Sequence, residues 1–267
     1  MPNQRDLGLI LRRFPYGESS LVLHVLTREH GRVHVIAKGA YRPTSRYYAA
    51  LDLFDTLELE WSARPGAELV QLVLAGIEIR RARISHDLGA FTAGVTALDL
   101  AALGSHEGHA NAELFATLST ALDRLAAQVP PAAALVEFEL AFLHNLGLAP
   151  ALTACASCGG AAPPLEQEPD EPARAAFSAS SGGRLCSGCA IVARAAGRRV
   201  GTLPASVLEL GDAILARRVD AATLAEVELE RVRDFVARFL EVHLESRPSS
   251  YQQFLAAHNR NARTRTP

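Results

Sequence analysis

A chain of 267 residues with 49 % hydrophobic and 21 % charged residues can bury a core, and more naturally forms two or three modules than one. No apolar run reaches the ~18 residues of a membrane-spanning helix, and Met1-Pro2-Asn3-Gln4-Arg5 opens straight into a strand-like pattern, so neither a membrane span nor a secretory leader is expected. The net charge of −2 conceals an uneven spread: residues 1–48 carry eight cations against three anions, and residues 49–79 six anions against Arg64 alone.

From Asp6 to Glu78 the hydrophobic period is two. Leu21, Leu23 and Val25 alternate with Val22, His24 and Leu26, and Leu57, Leu59 and Trp61 alternate with Glu58 and Glu60. Turn residues interrupt the pattern at Tyr16-Gly17-Glu18-Ser19, Arg28-Glu29-His30-Gly31 and Arg64-Pro65-Gly66. Strands are therefore predicted near 7–14, 20–27, 32–37, 54–61 and 69–78, with a short non-β segment at 45–51. Five strands with a small helix after the third outline an OB-fold barrel.

The loop after the third strand, Ala37-Lys38-Gly39-Ala40-Tyr41-Arg42-Pro43-Thr44-Ser45-Arg46, is a candidate nucleic-acid face. Gly39 lets the backbone approach a partner, Lys38, Arg42 and Arg46 supply charge for phosphates, and Tyr41, Tyr47 and Tyr48 offer rings for stacking. Arg12 and Arg13 of the first strand are added to this set. A solvated loop with ordinary surface arginines is the alternative, with Arg80, Arg81 and Arg83 or the basic tail as fallback DNA faces.

After Arg80 the period becomes 3.6. Leu88, Phe91, Val95, Leu98 and Ala102 form one stripe; Leu114, Leu118, Leu122 and Leu125 form the next, opened by Asn111 as N-cap. A third helix begins at Pro130-Pro131 and places Leu135, Phe138, Phe142 and Leu146 on its core face, with Gly147 at the C′ position. Helical patterning returns over 204–218 and 220–245 and is expected to pack back on the 85–146 set. The tail at 257–267 is basic and expected to fray.

All four cysteines fall in two C-x2-C knuckles, Cys155/Cys158 and Cys186/Cys189, with 27 residues between them. Two such bites complete a tetrahedral sulfur shell of the kind Zn²⁺ accepts, at about 2.3 Å per bond. Disulfides or a redox pair fit less well, because a redox protein needs a single C-x-x-C. Four thiolates leave no open position on the metal, which makes one zinc ion a structural staple rather than a catalyst. Between the knuckles, residues 163–172 are acidic, proline-rich and expected to be mobile. The expected fold class is thus α+β multidomain: an OB-fold domain at 1–80, a helical domain at 81–150 and 191–256, an inserted zinc module at 151–190, and the tail.

The order of these parts resembles the RecO family of bacterial recombination mediators. The residues that carry the resemblance are Gly17-Glu18-Ser19-Ser20, Leu26-Thr27-Arg28-Glu29-His30-Gly31, Ala37-Lys38-Gly39-Ala40 and Ser45-Arg46. They continue with Leu146-Gly147-Leu148-Ala149-Pro150 ahead of Cys155, and His243-Leu244 with Pro248, Ser250 and Phe254-Leu255 near the end. Tyr41-Arg42-Pro43 stands where that family more usually has an arginine-rich run. The resemblance implies binding of single- and double-stranded DNA, annealing of complementary strands, and help in loading RecA on strands coated by single-strand-binding protein. It implies RecR as partner, a cytoplasmic, nucleoid-associated location, and an architectural zinc, since some members lack the cysteines.

Two other classes of function fit the sequence less well. An enzyme would need a constellation that G-x-S-x-G, H-E-x-x-H or phosphate-loop spacing would announce, and none occurs. A zinc-ribbon adaptor that binds protein alone would lack the basic barrel loop its function does not require.

Overall fold

The computed structural model describes residues 3–45, 47, 50–62, 67–165 and 171–244, which divide into two compact units, one through Pro131 and one from Ala132. Among the described residues no helix is long and apolar enough to cross a membrane.

The first unit begins with five strands, β1 (Asn3–Tyr16), β2 (Ser20–Thr27), β3 (Gly31–Ala37), β4 (Thr56–Ser62) and β5 (Val70–Ile79). They close into an OB-like barrel in the order β1-β2-β3-β5-β4, the closure being the short parallel pairing Val35↔Val70 and Ile36↔Gln71. The alternating residues do what their period requires: Leu21, Leu23, Val25, Leu57, Leu59 and Trp61 fill the interior with Ile10, Val35 and Leu72. The β2–β3 hairpin is pinned by buried Asp6, which accepts from the amides of Leu7 (2.8 Å) and Glu29 (2.7 Å) and from His30 Nδ1 (3.0 Å). The small helix expected at 45–51 falls partly on residues 46, 48 and 49, outside the described residues; Ser45, Tyr47, Ala50 and Leu51 carry no helix.

A 3-10 turn (Ala82–His86) leads into α1 (Leu88–Gly104) and α2 (Ala112–Ala126). Asn111 caps α2 by accepting from the Leu114 amide at 2.9 Å, and Leu114, Leu118, Leu122 and Leu125 are all buried, as their spacing predicts. For α1 the expected stripe needs correction. Leu88 is 83 % exposed and Phe91 is exposed, while Ala90, Ala93, Gly94, Ala97, Leu98 and Ala101 make the buried face. Small residues win because Phe54 lies against the helix: a Cβ on Gly94 would stand 2.7 Å from its ring.

The junction between barrel and helices is organised by Arg81, whose side chain is 1 % exposed. Its guanidinium donates to Asp123 Oδ1 (2.7 Å), Ser119 Oγ (2.8 Å), Thr56 Oγ1 (2.9 Å) and the Phe54 carbonyl (2.8 Å). Its amide donates to Asp55, which also pairs with Arg80. Phe54 itself is held at φ 76°, a left-handed conformation unfavourable for a bulky residue and sustained by this packing.

The second unit contains α3 (Pro131–Asn145), closed at Gly147 (φ 70°) by bonds from Gly147 to His144 and from Leu148 to Leu143. It continues with a three-stranded sheet of β6 (Arg174–Ser178), β7 (Gly183–Leu185) and β8 (Gly201–Pro204), in the order β7-β6-β8. The helices α4 (Ser187–Ala195), α5 (Ala205–Leu215) and α6 (Glu226–His243) complete it. Residues of α6 do meet α3, where Arg233 lies 3.4 Å from buried Glu139. The sheet and α4 carry no period long enough to read in the sequence. The acidic interior at 166–170 and the tail lie outside the described residues.

Candidate metal centre and nucleic-acid face

The first knuckle is a tight turn in which the Cys155 amide donates to Gly160 (2.9 Å) and the Gly159 amide to Cys155 (2.8 Å). Gly159 sits at φ 72°, where a side chain would be strained. The second knuckle follows β7 directly, Cys186 forming the extended N-cap of α4. Residues 151–156 run beside 182–184, with bonds from Ala151 to Gly182, Arg184 to Ala151 and Ala156 to Arg184, and this register brings the knuckles together. The Sγ atoms of Cys155, Cys158, Cys186 and Cys189 all lie within 4.8 Å of one another, and the thiols are unbridged. A tetrahedral four-thiolate shell with bonds near 2.3 Å has sulfur–sulfur edges of about 3.8 Å, so a small contraction suffices to hold a metal ion.

The electrostatics point the same way. Burial opposes the Cys155 thiolate, yet hydrogen bonds from the backbone of Cys186, Cys158 and Ser157 outweigh it and bring the thiol down to about 6. Cys189, crowded first by Cys186, is pushed up to about 12. Four sulfurs this close cannot all ionise beside one another unless a cation shares the site. Their surroundings are mostly small: Ala162, Ala176, Leu185, Ala190 and Ala193 pack with Cys155. Such a core buries little apolar area, so a metal ion held by the four sulfurs would add substantially to the module's stability. Arg184, 4 % exposed, reaches the Leu152 carbonyl (3.4 Å) and Glu209 of α5 (3.9 Å), joining the module to its helix.

The expected nucleic-acid residues fall in three groups. Lys38, Tyr41 and Arg42 are exposed on the loop after β3, and Lys38 and Arg42 pair with no carboxylate among the described residues. Gly39 (φ 71°) starts the turn that this loop makes, the Arg42 amide donating to its carbonyl, and the Tyr41 amide ties the loop to Ser19 of the β1–β2 turn at 3.0 Å. Arg12 and Arg13 are already engaged, Arg12 with Asp99 of α1 (3.4 Å) and Arg13 with Asp52 (2.7 Å). Tyr47 requires a correction as a stacking residue. It is 5 % exposed in the barrel core, with its hydroxyl donating to the Leu72 carbonyl at 2.7 Å, because its ring completes the apolar interior. Arg46 and Tyr48 lie outside the described residues. Of the fallback cations, Arg81 is internal and Arg80 is paired with Asp55.

A row of rings runs along the outside of β1, β2 and β3. The rings of Phe14 and His24 lie 5.0 Å apart, and His24 stacks on His34 at 3.9 Å. The outward position of His24 was visible in the alternation, but its pairing with His34 across β2 and β3 was not. Burial lowers the His24 pKa to about 4, helped by the charges of His34, Arg32 and Arg12 and opposed by Glu107. The unfolded chain, with its His near 6.5, then binds the proton first as pH falls. Stability should therefore decrease from about pH 6.5 towards pH 4, and His24→Gln should flatten that decrease. Urea unfolding at pH 7 and pH 5, followed through Trp61, measures the difference; equal pH dependence in both proteins would refute it.

Residues 1–79 match the family model described as Recombination protein O N terminal, and residues 85–252 match Recombination protein O C terminal. The DNA repair protein RecO of Anaeromyxobacter dehalogenans (strain 2CP-1) is 36 % identical over 245 residues, which cover 91 % of this chain and 92 % of that protein. RecO of Myxococcus xanthus is 32 % identical over 198 residues (73 % and 75 %), and RecO of an Exiguobacterium species 31 % over 184 residues (69 % of each).

Proposed function

Given that this chain belongs to the RecO family, we propose that it is a DNA repair protein that binds single- and double-stranded DNA through its barrel and anneals complementary strands without nucleotide hydrolysis. In this reading it also helps load RecA on strands coated by single-strand-binding protein, with RecR as partner, in the bacterial cytoplasm at the nucleoid. It is no enzyme: DNA pairing supplies the free energy. One zinc ion held by Cys155, Cys158, Cys186 and Cys189 is its structural cofactor. The finer division into 1–80, 81–150, 151–190, 191–256 and 257–267 belongs to the same proposal.

The observation that carries it is the loop after β3, where Lys38, Tyr41 and Arg42 stand exposed together and neither cation pairs with a carboxylate among the described residues. Two strands repel through their phosphates until that charge is offset, and an exposed ring can hold a base for ~1–3 kcal/mol. Arg12, Arg13 and Arg46 extend the proposed face, the first two by exchanging Asp99 and Asp52 for phosphate. Anisotropy of a labelled single-stranded oligonucleotide should show log K falling with log[salt] at about 0.7 per phosphate neutralised. The triple change Lys38→Ala, Arg42→Ala, Arg46→Ala should make this slope shallower by about 2 and abolish duplex formation from two complementary oligonucleotides without ATP. Equal annealing rates for folded wild type and variant would place the DNA face elsewhere.

A further inference from the structure

We infer that the outer face of α4 is a second nucleic-acid contact, in which Arg194, Arg198 and Arg199 take the phosphates of a strand and Ile191 and Val192 lie against its sugars or bases. This rests on the DNA-binding reading above and assigns part of it to the four-cysteine module.

Charge is the first argument. Residues 172–208 contain no aspartate or glutamate and five arginines, in a chain whose net charge is −2. Two of the five serve the fold: Arg174 donates to Thr202 through Nε and Nη2 (both 3.0 Å), and Arg184 is buried. Arg194, Arg198 and Arg199 are exposed and pair with no carboxylate among the described residues; Arg198 has Ser181 Oγ at 3.3 Å. A surface of one sign complements a polyanion better than a protein of mixed charge.

The second argument is the placement of apolar groups. Ala190 and Ala193 turn inward to the module core, while Ile191 and Val192 are 66 % and 68 % exposed. β-Branched side chains are poor choices for a solvated helix surface on grounds of both propensity and exposure. A helix C-terminus favours a nearby cation, which accounts for an arginine in the last turn but not for two exposed β-branched residues beside it. Third, the backbone is held in place. Gly197 at φ 75° ends α4 with bonds from Gly197 to Arg194 and from Arg198 to Ala193, fixing the backbone of Arg198 against the helix end, with Arg199 next in the chain.

The test uses the full-length, metal-loaded protein. The probe is a fluorescent single-stranded oligonucleotide of thymidines, titrated at several salt concentrations. Arg194→Ala, Arg198→Ala, Arg199→Ala should make the salt slope shallower by about 2, as expected for three cations at 0.7 each. The triple lysine variant should retain the wild-type slope. Metal content and circular dichroism confirm that both are folded. A photo-crosslinking residue placed at Val192 should label the oligonucleotide. An unchanged slope in the alanine variant, with the barrel variant impaired, overturns this inference and leaves the barrel reading standing. Crosslinks from position 192 to a protein but not to the oligonucleotide also overturn it, in favour of a docking surface for a partner chain. If wild type itself binds no oligonucleotide, the DNA-binding reading falls, and this inference with it.

Discussion

Exchange of Cys186 for serine should cost the protein the zinc ion proposed above and melt the four-cysteine module while the barrel survives. Three thiolates remain around the ion, and the small core around Cys155 cannot replace what the fourth contributed. Structural zinc in small domains carries about 10–16 kcal/mol of apparent binding free energy, which is folding free energy where no preformed site exists without the ion. Zinc per chain should fall from one to well below one, and limited proteolysis should cut within 151–190. The single tryptophan, Trp61, lies buried in the barrel, with Nε1 donating to Gln4 at 3.0 Å, and its emission should be unchanged. A purified protein with no metal, indifferent to chelators, would end the zinc reading.

The second large effect is expected at Arg81. Truncation to alanine removes the donor shared by the Phe54 carbonyl, Thr56, Ser119 and Asp123, and leaves buried acceptors without it. Removing one partner from a buried charged network costs about 3–5 kcal/mol. With a urea slope near 2 kcal/mol/M, the midpoint of the Trp61 transition should drop by about 2 M. Arg81→Lys should lose less, since an ammonium keeps the charge but cannot span four acceptors at the angles of a guanidinium fork. Zinc content should be unaffected in both. A midpoint shift below 1 M in the alanine variant would mean that Arg81 does not hold this junction.

Much of the architecture is written locally. Period-two alternation from Asp6 to Glu78 determines five strands because one face of each must enter the barrel; the cap at Asn111 and the stop at Gly147 follow from single side chains and a single backbone conformation. The cysteine spacing determines that two knuckles exist, and the fold brings their four sulfurs within 4.8 Å. What only the tertiary structure decided involves partners far apart in the chain. Arg81 looked like one cation in a basic run, and becomes internal because Phe54, Asp55 and Asp123 surround it. Tyr47 looked like a stacking ring, and is drawn inside by Leu72. Arg12 and Arg13 looked available for phosphate, and meet Asp99 and Asp52 instead. The buried face of α1 is made of small residues because Phe54 needs room at Gly94, a demand made from outside the helix's own periodicity. Local pattern sets which face of an element is apolar; the fate of a charge or a ring depends on which neighbour the fold brings to it, and that neighbour lies 25 or more residues away.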